Sequence, residues 1–124
     1  MSDNRPLILV VEDDESVQGF LSVLLEGEGY DVVLAQDGLE GLVLVELRHP
    51  NLVILDVMMP NVSGERVLRE LREDDRLRHL PVIVVSGKHD VHEIFDPILG
   101  RQNVFTKPFE PSVLTDRIQE VLGE

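Results

Sequence analysis

Several residues capable of chemistry stand where apolar runs end. Glu12 and Asp13 follow "LILVV" (7–11), Asp56 closes "LVILD" (52–56), Ser86 closes "PVIVVS" (81–86), and Lys107, followed by Pro108, closes "NVFTK" (103–107). An unbroken run such as Leu52-Val53-Ile54-Leu55 reads as a strand covered on both faces, so a carboxylate at its exit needs a reason. If these strands lie parallel and side by side, three carboxylates, a hydroxyl and an ammonium converge at one edge. Two carboxylates about 4 Å apart repel by about 4 kcal/mol at an effective dielectric near 20, so such a cluster calls for a cation. Carboxylates without imidazole or thiolate suit Mg²⁺ rather than zinc. An ion held by so few carboxylates keeps positions open for water and phosphate oxygens.

Each residue has an ordinary reading when taken singly. "EDDE" (12–15) after a strand is helix N-terminal chemistry, with Asp14 as the cap and neighbouring acids meeting the helix dipole. Asp56 opens the loop "DVMMPNVSG", with Pro60 and Gly64, and a turn or cap role would explain it. Ser86 could be a plain strand-end serine and Lys107 a surface lysine. It is the coincidence of all of them at the ends of different strands that points to a site.

The elements that must position them follow from periodicity. Five apolar runs, the four above and "DVVLA" (31–35), alternate with helical patterns. Val17, Phe20, Leu21, Leu24 and Leu25 mark a first amphipathic helix that ends around Gly27 to Gly29. A second spans about 38–49 and stops before Pro50. A third starts near Ser63, turns Val67, Leu68 and Leu71 inward, and carries Glu65–Arg69 and Arg66–Glu70 at i, i+4. A fourth carries Val91, Ile94, Phe95, Ile98 and Leu99 up to Gly100. The last begins at Pro111 and buries Val113, Leu114, Ile118 and Val121. Alternating strands and helices with short connections predict an α/β fold: a parallel sheet with helices on both faces. Functional groups in such folds collect beyond the carboxyl ends of the strands.

Bulk properties narrow the function classes. At 124 residues the chain is expected to form a single domain, with its core between about 7 and 122. There is no cysteine, which excludes disulfides, thiolate metal sites and cysteine nucleophiles. The opening "MSDNRPLILVVEDD" lacks the pattern of a signal peptide, and no run approaches the roughly 18 apolar residues of a membrane span. A soluble cytoplasmic protein without membrane contact is expected. A net charge of −13 argues against direct nucleic-acid binding. Lysine occurs only at positions 88 and 107, so a lysine at a strand end is not a commonplace of this composition.

The motifs "ILVVEDDE", "LVILDVMMPNVSG", "VIVVSG" and "FTKPF" resemble those of the response regulator receiver domain of two-component signalling, and the likeness extends from about Leu7 to Leu122. It implies a (βα)5 doubly wound sheet of strand order 2-1-3-4-5, with no output domain in this chain. It implies Asp56 as phospho-acceptor and Glu12, Asp13, Asp56 and the backbone carbonyl of Met58 as Mg²⁺ ligands. Ser86 takes the place of the switch hydroxyl and Lys107 that of the lysine pairing with the acceptor, with a cis Lys107–Pro108 bond. The expected partner is a histidine kinase or histidine phosphotransfer protein, docking on the first helix and the loop after Lys107. The chain would be a signalling switch rather than an enzyme, catalysing its own phosphorylation and dephosphorylation. Its output would pass through the surface of helix four, strand five and helix five to a protein target or a homodimer.

The sequence also departs from that pattern. Val104 stands three residues before the lysine, where the family usually has an aromatic ring, and Phe105 on an alternating strand points to the opposite face. The segment from Ser86 to Gly100 is one residue shorter than usual and contains Pro97. A proline there removes a helix donor, which predicts a fourth helix that is short, kinked or mobile. The second helix, "GLEGLVLVELRH", is apolar nearly all round. With Gly41, Leu42 and Val45 toward the sheet, Leu39, Val43 and Leu47 form a stripe that is either covered by loops or a patch for a partner or second copy. His49, His79, His89 and His92 show no ligand spacing with the acids and are expected at the surface. Two other functions compete: a receiver-like interaction module without phospho-switching, and a Mg²⁺-dependent phosphatase with an aspartyl nucleophile. The latter generally wants a second acid two residues on, where this chain has Met58.

Overall fold

Hydrophobic continuity and local caps account for the order of elements. The computed structural model describes residues 5–59 and 62–124; Pro60, singled out in the loop after Asp56, lies outside them, as do Asn61 and the first four residues. The elements run β1 (Leu7–Val11), α1 (Glu15–Gly27), β2 (Asp31–Ala35), α2 (Gly38–Arg48), β3 (Leu52–Leu55), α3 (Gly64–Glu73), β4 (Val82–Ser86), α4 (Val91–Leu99), a 3₁₀ turn (Arg101–Asn103), β5 (Val104–Thr106) and α5 (Pro111–Leu122). Asp14 caps α1 by accepting the Ser16 and Val17 N–H groups at 2.8 and 3.2 Å. Asp37 caps α2 through Glu40 N–H at 2.8 Å, and Ser63 caps α3 through Arg66 N–H at 3.3 Å. Each satisfies a donor that the first turn leaves open.

All five strands are parallel and ordered β2-β1-β3-β4-β5, as the motif likeness implied. Side-chain alternation splits the core in two. Leu9, Val11, Val53, Leu55, Val82, Val84 and Val104 meet Val45, Val67, Leu68, Leu71, Val91 and Phe95 from α2, α3 and α4. Ile8, Val10, Leu52, Ile54, Ile83 and Val85 meet Leu21, Leu25, Leu114 and Ile118 from α1 and α5. β3 and β4 are buried along their whole length, which is why they read as continuous aliphatic runs.

Two expectations change, on side-chain burial and on strand limits, and two left open, on the fourth helix and the α2 stripe, are decided. Phe20, Ile98 and Val113 fit an apolar helical period but are exposed, and Val121 is only partly covered. The period identifies a helix but not how far its apolar arc is wrapped by neighbours. Strand limits also contract: Asp56, Asn103 and Lys107 lie just outside β3 and β5, and Pro81 precedes β4. α4 is short, at nine residues, but runs continuously through Pro97. The stripe Leu39–Val43–Leu47 is not covered by loops; all three side chains are exposed.

Candidate functional site

The parallel sheet brings its strand exits to one edge. Glu12 directly follows β1 and its backbone N–H is held by the Ala35 carbonyl at 2.9 Å; Asp56 follows β3 and donates its N–H to the Val11 carbonyl at 3.0 Å. Those two bonds hold the two carboxylates side by side. Lys107 follows β5, where its N–H donates to the Ser86 carbonyl at 2.9 Å, and the Lys107–Pro108 peptide is cis. From there the Lys107 ammonium reaches Glu12 Oε1 at 2.9 Å and Asp56 Oδ2 at 3.3 Å. One oxygen from each of Glu12, Asp13 and Asp56 lies within 4.8 Å of the others.

Burial sharpens the electrostatics. Glu12 and Asp56 are 3% and 5% exposed, whereas Asp13 opens to solvent. Burial pushes the Glu12 carboxyl above its ordinary range; the hydrogen bonds from Lys107 and the Asp14 amide pull it back, and the Asp56 charge adds to the rise. Burial alone would lower the Lys107 ammonium, but its bonds and charges with Glu12 and Asp56 outweigh that and hold it above its ordinary value. A single ammonium therefore pairs with the two nearly dry carboxylates of a cluster of three. The donor set fits a hard divalent cation: only oxygens, clustered, with the exposed Asp13 leaving one side accessible to water. Glu12, Asp13 and Asp56 are the residues that would hold it.

The other predicted residues sit close by in different roles. Met58 donates its backbone N–H to Asp56 Oδ1 at 3.0 Å, and its side chain is exposed. Ser86 is fully buried at the end of β4, and its hydroxyl accepts the Lys88 N–H at 3.1 Å. Val104 is buried against the α4 side of the sheet, while Phe105 packs on the other side against Phe109. His49, His79 and His89 are exposed; His92 is half-buried, with Nδ1 2.8 Å from Asp96 Oδ1. None of the four joins the acidic cluster.

Gln18 belongs to the site's support and was not expected. It is buried on α1 and donates from Nε2 to the Glu12 carbonyl, pinning the exit of β1. Its signal was a polar residue one turn before Leu21 and two before Leu25, on the face that packs inward. Gly64 is a second such residue. A Cβ there would lie 2.5 Å from Val57 Cα and 2.9 Å from the Asp56 carbonyl oxygen, so only glycine lets α3 start against the loop that follows β3.

Comparison with known proteins agrees with this geometry. A family model described as the response regulator receiver domain matches residues 8–119. The probable transcriptional regulator ycf27 of Cyanophora paradoxa is 41% identical over 123 residues, which cover 98% of this chain and 50% of that protein. The DNA-binding dual master transcriptional regulator RpaA of Synechocystis is 34% identical, over 94% of this chain and 49% of its own length. The chain thus spans about half the length of these curated relatives. The expectation of no nucleic-acid contact, drawn from the charge of these 124 residues, is not supported for such relatives, one of which is DNA-binding by name. Among solved structures, the receiver domain of sensor histidine kinase PA1611 from Pseudomonas aeruginosa, with a magnesium ion coordinated in its active-site cleft, superposes with a TM-score of 0.81 at 25% identity, covering 97% of this chain and 99% of that one. Among the described residues no helix is long and apolar enough to cross a membrane.

Proposed function

The chain belongs to the response regulator receiver domain family, and on that premise we propose that it is a phosphorylation switch whose acceptor is Asp56. One observation carries this reading: Lys107 bridges Glu12 and Asp56 inside a three-carboxylate cluster at the carboxyl edge of the sheet. An Asp56 oxygen attacks the phosphorus of a phosphohistidine on a kinase or phosphotransfer protein, or of a small acyl phosphate. The new O–P bond forms as the donor's P–N or P–O bond breaks. Lys107, already on Asp56, exchanges Glu12 for a phosphoryl oxygen, and the Met58 amide keeps Asp56 oriented. A Mg²⁺ ion held by Glu12, Asp13, Asp56 and the Met58 carbonyl would offset charge on the transferring oxygens. The same groups assist hydrolysis of the product, so the chain acts on its own phosphoryl group rather than on a free substrate.

The added charge of roughly −1.5 to −2 is read by the loop after β4. Turning the Ser86 hydroxyl toward a phosphoryl oxygen releases its bond to Lys88. In that loop Asp90 Oδ1 is buried without a hydrogen-bond partner among the described residues, with Lys88 Nζ 3.9 Å away. With Val104 in place of a ring, movement of this loop rather than an aromatic rotation carries the change to α4, β5 and α5, and from there to a protein target or a second copy. The setting is the cytoplasm, where the kinase partner acts.

Intact mass after incubation with acetyl phosphate tests the proposal. One phosphoryl group is expected on the wild type with Mg²⁺, and none on Asp56→Asn or without the metal. Failure of both acetyl phosphate and fluoroberyllate to modify or bind the wild type would overturn it. The buried Val104 favours a second reading, a constitutive interaction module, which that double failure would leave standing.

A further inference from the structure

The outward face of α2 is apolar where a surface helix is ordinarily polar. Leu39, Val43 and Leu47, at i, i+4 and i+8, remain 58%, 49% and 68% exposed. The opposite face forces that orientation. A Cβ at Gly38 would lie 2.4 Å from the Val62 carbonyl oxygen, and one at Gly41 would lie 2.9 Å from the Val11 side chain. The helix is therefore seated on its glycines and cannot roll Leu39, Val43 and Leu47 inward.

The borders of the stripe say what fits it. Glu40 and Glu46 lie about 60° to either side of it at 3.6 residues per turn. Arg76 donates to Glu46 at 2.6 Å and to Asp74 at 3.0 Å, so these four side chains together remain net negative. Two copies docked on this stripe about a two-fold axis would set acidic flank against acidic flank, whether the helices run parallel or antiparallel. Each copy also brings a net charge of −13. Self-association is opposed, while a basic partner is drawn by both the local and the overall field. We propose that the Leu39–Val43–Leu47 stripe docks an amphipathic helical segment of another protein, its apolar face bordered by lysine or arginine.

The probe is a synthetic helix of roughly 18 residues, long enough to hold its form, with leucine on one face and lysine beside it. A twin peptide carries glutamate in place of lysine. The lysine peptide should bind saturably and less tightly as salt rises. The double variant Val43→Ser/Leu47→Ser, altered only at exposed positions and checked for folding by circular dichroism, should bind it about tenfold more weakly, a loss of about 1.4 kcal/mol. Glu40→Gln should weaken it too. Equal binding of both peptides, no saturable binding, or binding unaffected by the double variant would overturn the proposal. So would sedimentation showing a dimer of the protein alone that the double variant dissolves, which would assign the stripe to a second copy.

Discussion

Lys107 is the residue on which the acidic site depends for its balance. It is a quarter exposed while Glu12 beneath it is almost fully buried, so removing the ammonium leaves a desolvated carboxylate without its partner. Lys107→Met should cost about 3 kcal/mol in urea denaturation, the low end for a broken buried pair because the ammonium is itself partly exposed. Adding Glu12→Gln should recover most of that, because the stranded charge is gone; two costs that simply add would refute the coupling. Tyr30 gives a separate titration. It is buried and donates its hydroxyl to Glu124 at 2.8 Å, and burial followed by that bond and the nearby carboxylates raises its phenol far above the ordinary 10.0. The neutral phenol is favoured in the folded state, so the unfolded chain loses its proton first and stability falls as pH rises above about 10. Lys107 acts in the same direction: its contribution is full below its unfolded value of 10.5 and is lost above it. Tyr30 is the sole tyrosine and there is no tryptophan, so ultraviolet absorbance reads it alone. Phenolate should appear together with unfolding, and a free titration near pH 10 in the folded protein would contradict this account.

Close approach of elements is governed by glycine at two helix starts. Gly64 brings α3 against the backbone that carries Asp56, and Gly38 does the same for α2 against Val62. Gly64→Ala forces the first turn of α3 away from Val57 and should cost about 1–3 kcal/mol, the range of an overpacked core. It should also slow phosphorylation by acetyl phosphate, since the loop that holds Asp56 moves with the helix. Unchanged stability by denaturant titration would mean that the loop yields freely. Pattern reading placed the starts of α2 and α3 within a residue, at about 38 and near Ser63, because an apolar period and its first-turn cap are local chemistry. It misplaced Phe20 and Val113 because each stands at the rim of an apolar arc, and Ile98, in the last turn of α4, because a period does not reveal how far neighbours wrap that arc. Phe20 packs edge-on against Phe109 at 6.4 Å, a neighbour 89 positions away that no local period reveals.

For the whole molecule, a net charge of −13 opposes compaction, and the cluster of Glu12, Asp13 and Asp56 adds a local repulsion to it. Screening by sodium chloride should raise the melting temperature modestly. Mg²⁺ at matched ionic strength should raise it further, by the equivalent of about 2.7 kcal/mol at a hundred times its dissociation constant. Asp13→Asn together with Asp56→Asn should abolish that extra increment and keep the salt effect. An equal Mg²⁺ increment in the double variant would place the ion elsewhere on the acidic surface.

The sequence by itself determined the alternation of strands and helices, the continuous aliphatic strands covered on both faces, and the exit of Glu12, Asp56, Ser86 and Lys107 from strand ends. Continuous aliphatic runs, helical periods and cap residues are written within a few positions of one another, so nearest-neighbour physics suffices to read them. Only the tertiary structure decided that Lys107 holds Glu12, 95 positions away, as well as Asp56. Likewise it decided that Gln18 turns inward to pin β1 and that α2 rests on glycine with Leu39, Val43 and Leu47 to solvent. Those outcomes depend on how far apart packed backbones sit and which side of a helix meets them, and both are set by residues remote in the chain.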